Sequence, residues 1–183
     1  MSIEALKGRL PEYAKDIKLN LGNVTTSTAL DKAQVWGSLL ASALASRNAE
    51  VIGAVAADAA QHLTPQAQQA AKTAAAIMAM NNVYYRSIHL IGDAEYGKMP
   101  ARLRMTAIGN PGVEKLDFEL YCLAVSAVNG CGMCLEAHVR EVVAKGASRE
   151  AVQDALRIAA VVHAAACTLE GEAVLAIAPQ AAA

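Results

Sequence analysis

Alanine supplies about a fifth of this 183-residue chain and comes in clusters such as Ala54-Val-Ala-Ala57 and Ala74-Ala-Ala76. It has the best intrinsic helix propensity of all residues. Aromatic residues make up only 4% of the chain, and stretches alternating β-branched with polar residues are scarce. An all-β fold is thereby excluded, and no βαβ pattern appears. The expected class is all-α, and the length suits a single helical domain over residues 1–183.

Local signals divide the chain into helices. Leu6 to Leu21 reads as a helical region interrupted at Pro11, followed by a polar loop at 23–28 whose hydroxyls suit an N-cap. Val35, Leu39 and Ala43 recur at spacing four in a helix from Leu30 to about Ser46, and Val51 to Ala60 forms a short Ala-rich helix. Thr64-Pro65 is a helix start signal, and the helix it opens runs toward Tyr84 and Tyr85. Residues 92–100 and 109–112 read as turns. A helix over Asp117 to Val128 is closed by Asn129-Gly130, another runs from Cys131 to Lys145, and Ser148 caps the last long one.

Sliding the chain by 84 positions aligns Leu39 with Leu123, Ser42 with Ser126 and the cap Thr64 with Ser148. This predicts two repeated helical units, about 36–80 and 120–164, sharing one core. In that register Arg47 and Glu50 occupy the places of Cys131 and Cys134, so only the second unit carries thiol chemistry.

Charge narrows the function. Sixteen Lys and Arg against 17 Asp and Glu leave a net charge of −1, which argues against a polyanionic nucleic-acid partner. The N-terminal residues have no apolar h-region, and the stretch from Ile158 to Cys167 is too short and interrupted to span a bilayer. A soluble cytoplasmic protein is expected, without a membrane partner. In that compartment four cysteines are not a disulfide framework, so a specially spaced pair points to redox or metal chemistry.

Cys131-Gly-Met-Cys134 is such a pair, placed at a helix start and followed by His138. Separation by three residues puts both sulfurs on one helix face, within reach of a disulfide after slight adjustment. A helix N-terminus favours thiolate over thiol. His138, four residues after Cys134, shares that face and is expected to exchange a proton with the Cys134 sulfur. The rival chemistry is zinc, with Cys131, Cys134 and His138 as three ligands, but no second C-x-x-C or His-x-x-x-His offers a fourth. Cys122 and Cys167 read as small core hydrophobes, His163 as a hydrogen-bonded core histidine, and His62 and His89 as loop or surface residues. Met78, Met80 and Met133 need no special role. No Gly-rich phosphate loop follows a strand, so no bound nucleotide or flavin is indicated.

The opening Met1-Ser-Ile-Glu4, Pro11-Glu-Tyr-Ala-Lys-Asp-Ile-Lys-Leu-Asn-Leu21, Ala76-Ile-Met-Ala-Met-Asn-Asn-Val-Tyr-Tyr85, Phe118-Glu-Leu120 and Ser126-Ala-Val-Asn-Gly-Cys-Gly-Met-Cys-Leu-Glu-Ala-His138 together resemble the alkyl hydroperoxide reductase D (AhpD) family. That family, here in its actinobacterial type, belongs to the carboxymuconolactone decarboxylase-like superfamily. The resemblance covers nearly the whole chain. It implies an all-helical subunit assembled as a homotrimer and a role in peroxide defence. It further implies an antioxidant peroxidase with no bound cofactor. The lipoyl group of a 2-oxoacid dehydrogenase acyltransferase, as dihydrolipoamide, reduces its disulfide, and it in turn reduces an AhpC-type peroxiredoxin partner.

Carried over by motif, the cysteine that forms a sulfenic acid falls on Cys134, its companion and proton donor on Cys131, the redox disulfide on Cys131–Cys134, and the proton relay on His138 and Glu119. The place of Glu119 rests on the resemblance alone, since it lies twelve positions upstream of Cys131 beyond a helix break. Many family members carry a histidine where this chain has Met133, which leaves the relay to Glu119 and His138. Two other readings stay open beside the peroxidase. One is a decarboxylase-like enzyme acting on a small lactone through a histidine base, and the other is a zinc-stabilised helical interaction module.

Overall fold

The computed structural model describes residues 1–177. Among these the chain forms ten α-helices and no strand: α1 (Ile3–Lys7), α2 (Lys15–Asn23), α3 (Lys32–Ser46), α4 (Ala49–Ala59), α5 (Pro65–Ile91), α6 (Ala94–Lys98), α7 (Thr106–Gly109), α8 (Lys115–Val128), α9 (Gly132–Ala144) and α10 (Arg149–Ile177). A single 3-10 turn, Glu12–Ala14, leads into α2. The fold is therefore all-α, as composition predicts.

Helices α3 and α8 form the centre. Every residue from Val35 to Ala43 and from Phe118 to Ser126 is buried, the pattern of a helix surrounded on all sides. They pack on each other, and the long helices α5 and α10 pack against both. Ala67, Ala70, Ala71 and Ala74 on α5 and Ala155, Ala159, Ala165 and Ala166 on α10 are buried. Their short side chains let the helix axes approach closely. The tightest approach is at Gly37, where an added Cβ would lie 2.1 Å from Cζ of Tyr121. Tyr121 in turn donates its hydroxyl to the Ala33 carbonyl at 3.0 Å, tying α8 to α3. Helix α9 then lies across α8 and α5.

Several helix ends differ from the sequence expectation. The cap of α3 is Asp31 rather than a hydroxyl of the 23–28 loop, and it forms a reciprocal capping box with Gln34. Ser27 instead accepts from the Ala29 and Leu30 amides and turns the chain ahead of that cap. The expected turns at 92–100 and 109–112 contain or border the short helices α6 and α7. Asp93 supplies a cap that nucleates α6. Cys131 is itself an N-cap rather than the first helical residue.

The trio α3–α4–α5 is followed in the same order by α8–α9–α10, and we propose that these are the two units of the repeat. Thr64 and Ser148 cap α5 and α10 in the expected register, whereas the caps at the α3–α4 and α8–α9 joints shift it by one residue. Arg47 at φ 62° and Gly130 at φ 65° make the same left-handed joint, so the N-cap Asn48 stands opposite Cys131 and Val51 opposite Cys134. Asn48 accepts from the Val51 amide as Cys131 accepts from the Cys134 amide.

At 29 residues α10 is long and apolar enough to cross a membrane, longer than the interrupted stretch read from the sequence. Ala151, Val152, Ala155, Ile158, Val162 and Leu169 bury one of its faces in the protein core.

Candidate functional site

The site forms where α5, α8 and α9 meet. Gly130 makes the left-handed turn after α8, and the extended Cys131 opens α9. The Cys131 sulfur accepts the backbone N–H of Cys134 at 3.4 Å, so one sulfur caps the turn that carries the other. All four cysteines are free thiols, and Cys131 and Cys134 are both buried. Burial, aided by the hydrogen bond with Cys131, pushes the Cys134 thiol up to about 12, against a lowering contact from Asn82. This reverses the expectation from the helix end alone. Withdrawal from water disfavours the anion more than the exposed N–H groups favour it.

His138 does share a helix face with Cys134, but its ring nitrogens are engaged elsewhere. Nδ1 lies 2.6 Å from Oε2 of Glu119, and Nε2 lies 3.2 Å from Sδ of Met78. With Nδ1–H donated to the carboxylate, Nε2 is the basic nitrogen of the neutral ring. The direct His138–Cys134 hydrogen bond expected from i+4 spacing is absent among the described residues, and both side chains instead line one cavity. Glu119 also pairs through Oε1 with Lys115 at 3.1 Å, one helical turn earlier on α8. Burial alone would raise the Glu119 carboxyl, but His138 and Lys115 together hold it below the ordinary carboxylate range. The structure thus brings all four sequence candidates together, Glu119 included.

Other members of the site were missed. Asn82 donates to Ser126 Oγ at 3.0 Å and accepts from Asn129 Nδ2 at 2.9 Å, while Arg86 donates to the Asn129 carbonyl. This network clamps the α8–α9 joint to α5 from behind. The readable signal was the pair Asn81-Asn82 inside a long helix, where asparagine competes poorly. Lys115 was readable too, from its i,i+4 spacing to Glu119. Met78, assigned no role from the sequence, touches the imidazole.

Cys134 and His138 open onto a cavity of about 270 Å3, lined also by Met78, Asn81, Tyr85, Ile108, Met133 and Ala137. Its wall is almost wholly apolar. Lys115 donates to the Ile108 carbonyl at 2.6 Å, so the charge that holds Glu119 also anchors the wall opposite. Met133, between the cysteines, is 38% exposed at the rim.

The remaining candidates lie elsewhere. Cys122 is in the core as expected, and burial raises its thiol well above the ordinary range. Cys167 is not. It faces out of α10, opposite the Ile158–Val162–Leu169 face, with its sulfur 3.5 Å from Nε2 of a half-buried His163. His62 stacks on Trp36 at 4.4 Å and His89 is exposed near the end of α5. Among the described residues no three His, Cys, Asp or Glu side chains are gathered as metal ligands.

Comparison with known proteins places this geometry. Residues 94–176, which include Glu119, Cys131, Cys134 and His138, match the carboxymuconolactone decarboxylase family. The chain is 63% identical to the alkyl hydroperoxide reductase AhpD of Rhodospirillum centenum, over 96% of this chain and 94% of that one. It is 58% identical to the AhpD of Gluconacetobacter diazotrophicus, over 96% of each. Identity to the AhpD of Streptomyces coelicolor is 54%, over 96% and 99%. With such identity along nearly its full length, and with Cys134 and His138 on one cavity, the chain belongs to the AhpD family of alkyl hydroperoxide reductases.

Proposed function

We propose that the protein is a cytoplasmic antioxidant in which Cys131 and Cys134 cycle between dithiol and disulfide, reducing alkyl hydroperoxides. The same pair also passes electrons to the disulfide of an AhpC-type peroxiredoxin. The observation that carries this reading is the shared cavity. Cys134 faces it beside His138, while Cys131 sits within the same helical turn.

The cycle starts from the dithiol. His138, held through Nδ1 by Glu119, takes the Cys134 proton across the cavity as the peroxide arrives. The thiolate attacks the terminal oxygen of ROOH. The S–O bond forms, the O–O bond breaks, and the alkoxide leaves as an alcohol with the proton from His138. Cys131 then condenses with the sulfenic acid to give the Cys131–Cys134 disulfide and water. A dithiol reductant reopens it by exchange through a mixed disulfide. The resting Cys134 is protected by its own protonation, because a neutral thiol is a poor nucleophile.

Dihydrolipoamide borne on a 2-oxoacid dehydrogenase acyltransferase is the proposed reductant, and a homotrimer the proposed assembly. Both extend to this chain what its family resemblance implies. The test is NADH oxidation coupled through dihydrolipoamide dehydrogenase and lipoamide, with and without an AhpC-type peroxiredoxin. Peroxide-dependent turnover that alkylation abolishes is expected. Turnover that persists after complete alkylation of Cys131 and Cys134 would refute the scheme, and lactone decarboxylation surviving that treatment would favour the decarboxylase-like alternative.

A further inference from the structure

The joint between α8 and α9 is held more firmly than a helix end requires. It already closes itself as a Schellman turn, with the Gly130 and Cys131 amides donating to the Ala127 and Ser126 carbonyls, both at 3.1 Å. Packing adds nothing at Gly130, where an added Cβ would meet no atom within 4 Å. Helix α5 adds three further bonds. Asn82, only 1% exposed, donates to Ser126 Oγ at 3.0 Å and accepts from Asn129 Nδ2 at 2.9 Å. Arg86, four residues on and so on the same face, donates to the Asn129 carbonyl. Asparagine weakens a helix interior, and its buried carboxamide opposes folding unless both its ends are bonded. A turn that caps itself gains little from such a residue. Cys131, which follows the turn as the extended cap of α9, gains a fixed position.

We propose that Asn82 and Arg86 are positioning residues that keep Cys131 poised to capture the Cys134 sulfenic acid, and so guard Cys134 against overoxidation. This rests on the peroxidase reading above. Ser126 is the link: its hydroxyl is tied to Asn82, and its carbonyl holds the Cys131 amide. Asn129 is tied twice, through its side chain to Asn82 and through its carbonyl to Arg86. The Asn82 carboxamide also bears on Cys134 itself, where it opposes the effect of burial on the thiol.

Once the first hydroperoxide has reacted, two reactions compete for the sulfenic acid. In one, the Cys131 sulfur bonds to the Cys134 sulfur, the S–O bond breaks, and the hydroxyl leaves as water with the Cys131 proton. In the other, a second hydroperoxide gives its terminal oxygen to the Cys134 sulfur. Its O–O bond breaks, and a sulfinic acid and an alcohol result, a state that thiols do not reverse. Condensation is intramolecular, so its rate follows the fraction of time that Cys131 stands in reach. The Cys131 sulfur lies 3.4 Å from the Cys134 amide nitrogen, and one helical turn suits the Cα separation of a disulfide, about 4.4–6.8 Å. Rotation of the two side chains therefore closes the pair while the backbone stays clamped. Without the clamp the dithiol gains freedom that the disulfide must give up again, which slows condensation and weakens the disulfide.

The test reads how the sulfenic acid partitions in the full-length protein. Pre-reduced wild type, Asn82→Ala and Arg86→Met are mixed with excess cumene hydroperoxide and quenched with iodoacetamide. Mass spectrometry then gives the ratio of Cys134 sulfinic acid to Cys131–Cys134 disulfide. Wild type is expected to form the disulfide, and each variant to raise the ratio about tenfold, the equilibrium worth of one net hydrogen bond. The disulfide of each variant should also open about tenfold more readily in equilibrium with dithiothreitol, a rise in potential of about 30 mV. Alkylation of the core thiol Cys122 reports whether Asn82→Ala keeps its fold, and the half-buried Arg86 carries the test if it does not. A merely structural clamp would lower the melting temperature yet leave the sulfinic ratio and the potential at their wild-type values, which would overturn the proposal. Predominant sulfinic acid in wild type would overturn it too. Failure of wild-type Cys134 to react with the hydroperoxide at all would instead refute the peroxidase reading itself.

Discussion

Replacing Gly37 by alanine sets helix propensity against packing. Propensity alone predicts a gain of about 1 kcal/mol for Gly→Ala within a helix. At Gly37, however, the new Cβ would stand 2.1 Å from Cζ, 2.2 Å from Cε1 and 2.4 Å from Oη of Tyr121, where carbon atoms normally rest about 3.5–4.0 Å apart. The Tyr121 ring is fully buried and cannot swing into solvent. Overpacking of this kind costs about 1–3 kcal/mol. Displacing the hydroxyl from the Ala33 carbonyl adds about 1–3 kcal/mol for a buried polar group left unpaired. Net of the propensity gain, destabilisation is about 1–5 kcal/mol, or roughly 2–20 °C in melting temperature for a chain of this length.

Gly53 on α4 supplies the control, because an added Cβ there meets nothing within 4 Å. Gly53→Ala should stabilise by about 0.5–1 kcal/mol. Urea and thermal unfolding of both variants test the contrast. Adding Tyr121→Leu to Gly37→Ala should recover part of the loss, with a favourable coupling of at least about 1 kcal/mol in the double-mutant cycle. Since α8 also carries Glu119, Gly37→Ala should lower peroxidase activity as well. A Gly37→Ala protein as stable as wild type would show that the α3–α8 contact does not hold the centre of this fold.

Cys131→Ser and Cys134→Ser should each abolish peroxide turnover, whereas Cys122→Ala and Cys167→Ser should retain it. Turnover in the Cys131→Ser, Cys134→Ser double variant would rule out the dithiol cycle. Without substrate, the exposed Cys167 should be carboxamidomethylated before Cys134 near pH 7.5, and the Cys134 rate should climb about tenfold per pH unit well past the ordinary thiol range. Because folding raises the Cys134 thiol to about 12, the native state holds a proton that the unfolded chain loses from about pH 8.5. That contribution is complete below about pH 8.5 and lost as pH rises toward 12, measurable by urea titration against Cys134→Ala. Glu119 behaves in the opposite sense, since its carboxyl is held low by His138 and Lys115. Its contribution is present above the ordinary carboxylate range and lost as acid protonates it, so Glu119→Gln should flatten the acid limb of the melting-temperature profile. The same variant should reduce peroxide turnover by about 10- to 100-fold, and unchanged turnover would remove Glu119 from the relay.

Much of the helix pattern could be read because its causes are local. Thr64-Pro65 opens α5 and Ser148 stands just ahead of α10, as their cap chemistry predicts. The Cys131–Cys134–His138 face could likewise be read, since helical spacing sets it within one element. Cys167 was misplaced because an Ala-rich helix has small residues all round, so hydrophobicity does not identify the face turned inward. Asp31, rather than a hydroxyl upstream, caps α3 because Gln34 completes its reciprocal pair, a choice among several adequate local caps.

By itself the sequence determined an all-helical chain with two thiols and an imidazole on one helical face, because propensity, caps and i,i+3 and i,i+4 spacing act over a few residues. Only the tertiary structure decided what those groups meet. The meeting of α5, α8 and α9 turns His138 toward Glu119 and Met78, buries Oδ1 of Asn81 without a partner, and withdraws Cys134 far enough from water to raise its thiol. Each of these depends on residues distant in the chain and on the low dielectric made by packing them together, which no local pattern encodes.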